Sequence, residues 1–277
     1  MDPPLVKAGA AGPAPTEATN PTLPSIAQPT AQPGAPPAAN PAAPCSAPPA
    51  AQNQLVERLP VADRERLLAQ CDCVPLALSG LLCAPGLASE HAFFPLSGVV
   101  SMALLADAHP GLEVGMVGRE GMLGLPLALG VASVPLRAMV QGPGAAWRIP
   151  AASLQREVAR SSALRGVLNR YVFVRMAELA TSAACQRFHL IGPRLARRLL
   201  MSQDRSGSQR VHVTQEFLAN MLGVRRVGVT AAAGALQRSG VIEYHRGELT
   251  VLNRAGLEAA ACSCYARDRQ SYVELMA

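Results

Sequence analysis

The sequence predicts an α+β chain with a β-roll first, a long helix next and a winged helix-turn-helix last. Three stretches carry that prediction. Between 74 and 150, short β-prone runs are set apart by glycine and proline, the pattern of a sandwich or roll. From 151 to 190 there is no proline and Gly166 is the only glycine, so the composition is helical. Within 214–251, two short helical segments meet at Gly223 and an alternating hairpin follows.

Residues 1–52 hold 14 of the 24 prolines and almost no large apolar side chain. Such a segment cannot bury enough surface to offset its ordering entropy, and it is expected to be a disordered arm. The roll domain is expected over 53–150. It opens with Leu55, Leu59, Leu67 and Leu68 around the charged run 63–66, which suggests one or two short amphipathic helices broken at Pro60. Its β-runs are Leu81–Cys83, then 93–105 divided by Pro95 and Gly98, then 114–117, 137–140 and 147–149.

The segment 151–190 is read as a lead-in helix from about Ser153 and a long dimerisation helix. Leu164, Leu168, Tyr171, Arg175, Glu178, Ser182 and Cys185 recur at alternating four- and three-residue steps, as in a coiled-coil seam. The stripe Val167, Tyr171, Val174, Glu178 fits nearly as well, so the register stays open. A helix packed only on its own roll is the other reading.

The DNA-binding domain is expected over 191–252. Pro193 opens a helix, 194–203, with Leu195, Leu199 and Leu200 on one side and Arg194, Arg197 and Arg198 on the other. After the loop 204–209 and the run 211–213, Thr214 can cap a helix whose apolar face holds Leu218 and Leu222. Gly223 ends it, because glycine turns left-handed without steric cost. A second helix restarts near Arg225 with Val229, Ala232, Ala233 and Leu236 at helical spacing. The runs 241–244 and Glu248–Val251 around Arg246-Gly247 form the wing. Asn253 caps a last helix in the segment 253–277.

The net charge of +6 and the pI near 9.2 suit an anionic partner. Between Arg194 and Arg238 eight arginines meet two acids, Asp204 and Glu216, the footprint of a nucleic-acid surface. The seven cysteines are odd in number and irregular in spacing, and the N-terminus lacks the apolar core of a signal peptide. No apolar run is long enough to span a bilayer, so a cytoplasmic protein with reduced thiols and no membrane partner is expected. No GxSxG, HExxH or P-loop pattern occurs, and no catalytic residue is assigned: the chain is not expected to be an enzyme. Cys71-x-Cys73 with Cys83, and Cys262-x-Cys264, do not match iron–sulfur spacing. His91, His109, His189, His212 and His245 show no ligand grouping, so no metal, iron–sulfur or haem cofactor is expected.

Together, HAFFPLSGVVSM at 91–102, EVGMVGREGMLGLPLALG at 113–130, PRLARRLLMSQDR at 193–205 and the winged helix resemble the Crp/Fnr family of bacterial transcription regulators. The resemblance covers about residues 54–265. It implies a cyclic-nucleotide-binding-like roll, that is, a double-stranded jelly roll, in a homodimer that binds double-stranded DNA and contacts RNA polymerase. It places Arg225 and Arg226 at the front of the recognition helix. Arg226 is the first choice for a base contact, since a guanidinium can bond guanine O6 and N7 together. Arg225 is assigned to phosphate. Val227 and Ala231 stand where many relatives carry polar readers, and Val227 suits a thymine methyl instead. Thr214, Gln215, Thr230, Arg238, His245 and Arg246 are the remaining candidate contacts.

The same resemblance draws attention to Glu120, as a ribose partner, and Arg137, as a phosphate partner, in an effector pocket. However, Arg137-Ala138 lacks the hydroxyl neighbour of a cyclic-nucleotide cradle and Glu120 precedes its glycine, so no cyclic nucleotide is expected. The competing class is a roll-based sensor whose winged helix binds a protein partner in place of DNA.

Overall fold

The computed structural model describes residues 53–105 and 111–277; the arm expected over 1–52 lies outside the described residues. Asn53 is the first of the described residues. Its side chain accepts from Leu55 N and Val56 N to cap α1 (Gln54–Glu57), while its amide donates to Pro95 O and Gly121 O. After Pro60, α2 (Val61–Leu68) follows, so the expected break at this proline is present.

The roll consists of two antiparallel sheets. One has the order β1-β7-β3, formed by β1 (Asp72–Leu76), β7 (Gly144–Pro150) and β3 (His91–Pro95). The other has the order β2-β6-β4-β5, formed by β2 (Leu81–Cys83), β6 (Leu136–Gly142), β4 (Val99–Leu104) and β5 (Leu112–Val117). Leu76, Phe93 and Ala146 of the first pack against Val100, Ala138 and Val140 of the second in one buried cluster. Sequence periodicity missed β1, which holds Pro75. Proline fits there because β1 is an edge strand paired only with β7, where a missing amide donor costs no ladder bond.

β5 carries an irregularity that matters later. Its partner register runs Met102↔Gly115 and then Ala103↔Glu113, so Val114 is the extra residue of a β-bulge.

The short α3 (Leu125–Ala128), α4 (Ala151–Arg160) and α5 (Ser162–Phe188) follow the chain onto the outside of the roll. Leu164, Val167, Leu168, Tyr171 and Val174 of α5 join Leu55, Phe94, Met122 and Ile149 in a second core. Gly121 is needed at that contact, because a Cβ there would stand 1.9 Å from the Tyr171 hydroxyl. Gly121→Ala is therefore expected to overpack the site and cost about 1–3 kcal/mol, read as a lower urea midpoint; an unchanged midpoint would mean that Tyr171 swings aside freely.

The C-terminal unit has a third core. It contains α6 (Ile191–Ser206), β8 (Arg210–His212), α7 (Gln215–Leu222), α8 (Arg226–Arg238), β9 (Ile242–His245), β10 (Glu248–Val251) and α9 (Arg254–Ala260). Its sheet order is β8-β10-β9, so the wing gains a strand from the run before α7. The single helix expected after Asn253 is in fact two. Asn253 Oδ1 accepts from Gly256 N to cap α9, the chain breaks over 261–263, and α10 (Cys264–Met276) folds back along α5. Met276 is fully buried in the second core, and Tyr272 Oη donates to Glu120 O at 2.7 Å.

Candidate nucleic-acid interface

The two-helix motif is built as its residues dictate. Thr214 Oγ1 accepts from Phe217 N at 3.1 Å, and Gly223, at φ 63°, ends α7 in the left-handed region. Arg225 is the extended residue before α8. Val229, Ala233 and Leu236 bury one face of α8 against α6 and the wing, which leaves Arg226, Val227, Thr230, Ala231 and Arg238 exposed on the other. Thr230 Oγ1 lies 2.7 Å from Gln215 Oε1, so the first turns of the two helices are linked through these side chains. In the wing, His245 pairs with Glu248, leaving a two-residue turn of Arg246 (φ 49°) and Gly247 (φ 87°). Positive φ at both positions is a type I′ turn, which matches the twist of a hairpin. Thr214, Arg225, His245 and Arg246 are exposed and Gln215 half-buried, so all ten candidate contact residues lie at or near the surface.

The arginine surplus is divided differently from the expectation. Arg194, Arg198 and Arg205 are buried and Arg197 is nearly so; none belongs to an outward basic face. Arg198 Nε and Nη2 each sit 2.9 Å from an oxygen of Glu113 on β5, and Ser101 Oγ donates to the same carboxylate. Arg197 pairs with Asp268 on α10, and Arg194 donates to Leu222 O at the end of α7. Four of the eight arginines therefore hold the domain in place, and the exposed α8 face and wing carry the outward charge.

Arg205 is the centre of a buried network. Its Nη2 donates to Glu178 Oε1 at 2.9 Å, and its Nε lies 2.9 Å from Glu120 Oε1. Burial works against its charge, but Glu120 and Glu178 outweigh that cost and hold its pKa above the ordinary arginine value. Glu178 also pairs with Arg175, whose Nη1 donates to Met116 O at 3.0 Å. Roll, α5 and α6 thus meet through four charged side chains.

Two assignments need correction here. Leu164, Leu168, Tyr171, Arg175 and Glu178, read as a dimer seam, are turned into their own chain; Tyr171 is only 1% exposed. The alternative stripe through Val167 and Val174 is buried as well. The large apolar residues that α5 leaves to solvent are Phe173, Met176 and Leu179, at 61%, 57% and 45% exposure, and Phe188 at its C-terminal end. Glu120 and Arg137 likewise do not share an effector pocket. The roll encloses a cavity of about 220 Å³ lined mainly by apolar side chains, among them Val114, Met122, Leu123, Leu136 and Ala138, with Arg175 at its wall. Strand alternation sends Arg137 to the opposite face from Leu136 and Ala138. Glu120 lines a separate polar cleft of about 570 Å³ with Arg205, Asp204 and Tyr272.

The fold also assembles a group that sequence spacing did not suggest. Cys185, His189, Cys262 and Cys264 place one donor atom each within 4.8 Å of all the others. Cys185 and His189 at the end of α5 meet Cys262 and Cys264 only because α10 returns to α5.

Residues 193–260 match the Crp-like helix-turn-helix domain. No curated protein matches the chain in sequence. Several solved structures share its fold. A regulator of the crp/fnr family from Eubacterium rectale is 18% identical, with a TM-score of 0.58 over 74% of this chain and 96% of that one. CLP from Xanthomonas campestris, a c-di-GMP responsive global regulator, is 16% identical, with a TM-score of 0.56 over 69% of this chain and 99% of its own. FixK2 from Bradyrhizobium japonicum is 12% identical, with a TM-score of 0.57 over 69% and 98%. The chain therefore has the Crp/Fnr regulator fold, a β-rich N-terminal domain followed by a C-terminal helix-turn-helix domain. Among the described residues no helix is long and apolar enough to cross a membrane.

Proposed function

We propose that this chain, a Crp/Fnr-type regulator by fold and by its helix-turn-helix domain, acts as a homodimer that binds double-stranded DNA and controls transcription in response to a signal received in its roll. The observation that carries the reading is the outward face of α8, which presents Arg226, Val227, Thr230 and Ala231 to solvent and is tied to the Thr214-capped α7 through Thr230 and Gln215. Arg226 reads a base, Arg225 and the wing meet phosphates, and Val227 offers an apolar contact. A contact with RNA polymerase belongs to the same reading.

The dimer seam in this reading is the exposed Phe173, Met176 and Leu179 face of α5. A parallel pair of such helices sets two recognition helices one DNA turn, about 34 Å, apart. The effector is a small, largely apolar molecule, because the roll cavity offers apolar walls and neither Glu120 nor Arg137 lines it. Arg175 connects that wall to Glu178 and so to Arg205 on α6. An effector that favours one position of Arg175 biases the placement of the DNA-reading domain, provided that it binds the two arrangements with different affinity.

Gel-shift titration with duplexes from the chain's own promoter region tests this. Arg226→Ala is expected to lose about 1–3 kcal/mol on the preferred site and to relax one base position per half-site. Arg225→Ala is expected to weaken all duplexes alike and to flatten the salt dependence by about 0.9 log units per lost phosphate contact. Equal loss on every sequence for Arg226→Ala removes it as a base reader, and no retention of any duplex at low salt rejects the DNA-binding function.

A further inference from the structure

Three cysteine sulfurs, those of Cys185, Cys262 and Cys264, form a buried cluster of their own, separate from the three apolar cores. Cys185 is 1% exposed, Cys262 8% and Cys264 4%. Cys185 Sγ and Cys262 Sγ are 3.5 Å apart, and Cys264 Sγ is 3.5 Å from His189 Nδ1. Cys185 lies in the last turn of α5 and His189 is the extended residue that caps it, its N–H donating to Cys185 O. Cys262 and Cys264 flank Ser263 in the break between α9 and α10, and Cys262 N donates to Pro193 O in the first turn of α6.

Two of these separations suit a tetrahedral metal centre. Donors placed about 2.0–2.3 Å from a tetrahedral centre lie about 3.3–3.8 Å from each other. The two resolved edges fall in that range, and all four donors lie within 4.8 Å of one another. A polynuclear iron–sulfur cluster, whose bridging sulfides spread its protein ligands, needs a wider arrangement. Three thiolates and one neutral imidazole around a divalent ion leave one net negative charge. Arg194 lines the small cavity beside Cys185 and supplies the compensating positive charge; Arg197, at the same cavity, is already paired with Asp268.

We propose that Cys185, His189, Cys262 and Cys264 bind a single zinc ion as a closed tetrahedral Cys3His site, which staples the C-terminal segment to the hinge between α5 and α6. Four protein ligands leave no open position, so the role is structural and not hydrolytic. Through Pro193 and the Arg194 bond to Leu222 O, the staple also sits beside the support of the helix-turn-helix. This rests on the regulator reading only for its link to DNA; the site stands on its own donors.

The test uses the full chain purified under reductant, equilibrated with zinc and passed over a chelating resin. Elemental analysis is expected to find one zinc per chain. X-ray absorption is expected to show three sulfur ligands and one nitrogen, and cobalt substitution the ligand-field bands of a tetrahedral thiolate site. Cys262→Ser combined with Cys264→Ser is expected to abolish retention. Should that variant fail to fold, the wild-type absorption spectrum still decides the ligand set. Hydrogen exchange of residues 186–193 and 261–276 is expected to slow by roughly 100-fold at free zinc ~100 times the dissociation constant. The proposal is overturned by a folded wild-type chain that retains no zinc, by undiminished retention in the double variant, by a Cys185–Cys262 disulfide in the reduced preparation, by iron with inorganic sulfide, or by exchange indifferent to zinc. None of these readouts involves DNA, so a failure here and a failure of DNA binding are told apart.

Discussion

Arg205→Ala is expected to lower the stability of the chain by about 3–5 kcal/mol, the usual cost of leaving buried charge without its partner. The side chain is 8% exposed, and its removal takes the ion-pair partner from Glu120, at 16%, and leaves Glu178, at 10%, with Arg175 alone. Against a total stability of about 5–15 kcal/mol for a native protein, that loss is a large share. Because Arg205 joins α6 to both the roll and α5, the unfolding transitions should also separate. Trp147, the chain's only tryptophan, lies in β7 of the roll and reports that domain by fluorescence, while far-ultraviolet dichroism follows the helices. A loss below about 1 kcal/mol, with coincident transitions, would place the network with weak exposed ion pairs. Replacing Glu120, Arg175, Glu178 and Arg205 together by apolar side chains of similar volume should recover most of the stability, since the desolvation of all four charges is then avoided.

Replacing Phe173 and Met176 together by glutamate is expected to convert the dimer to a monomer and to weaken binding of a two-half-site duplex by about 10²-fold or more, because the second half-site is no longer held at high effective concentration. Both side chains are more than half exposed on the chain described here, so the substitution leaves the internal cores intact and the monomer folded. Analytical ultracentrifugation gives the mass and gel shift the affinity. A variant that stays dimeric places the seam elsewhere.

The helices, the wing and most strands were legible because each rests on local chemistry: the Thr214 cap, the Gly223 stop, the proline at 60, the Arg246-Gly247 turn. What periodicity could not assign was which face meets which partner. α5 is apolar on two sides, with Leu164, Leu168 and Tyr171 on one and Phe173, Met176 and Leu179 on the other, so a heptad fit finds a helix without choosing the seam. The arginines of α6 present the same difficulty. Arg198 meets a carboxylate 85 residues earlier in the chain and Arg197 one 71 residues later, and no local pattern encodes either pairing. The metal-type grouping was hidden for a related reason. Its two halves lie on α5 and in the break before α10, and the return of that last helix is a tertiary event.

The bulge at Val114 places three consecutive residues against three different neighbours. Glu113 holds Arg198 of the DNA-reading domain, Val114 lines the roll cavity, and Gly115 lies under the Arg175 guanidinium, where a Cβ would stand 2.2 Å from Nη2. Glu113 and Gly115 share the face toward α5 and α6, where both line one small cavity, while Val114, the extra residue of the bulge, turns to the other. The roll cavity, α5 and the seat of the helix-turn-helix domain are thus met by three consecutive residues, two peptide bonds apart from first to last, and the signalling route of the proposed regulator has the length of a tripeptide.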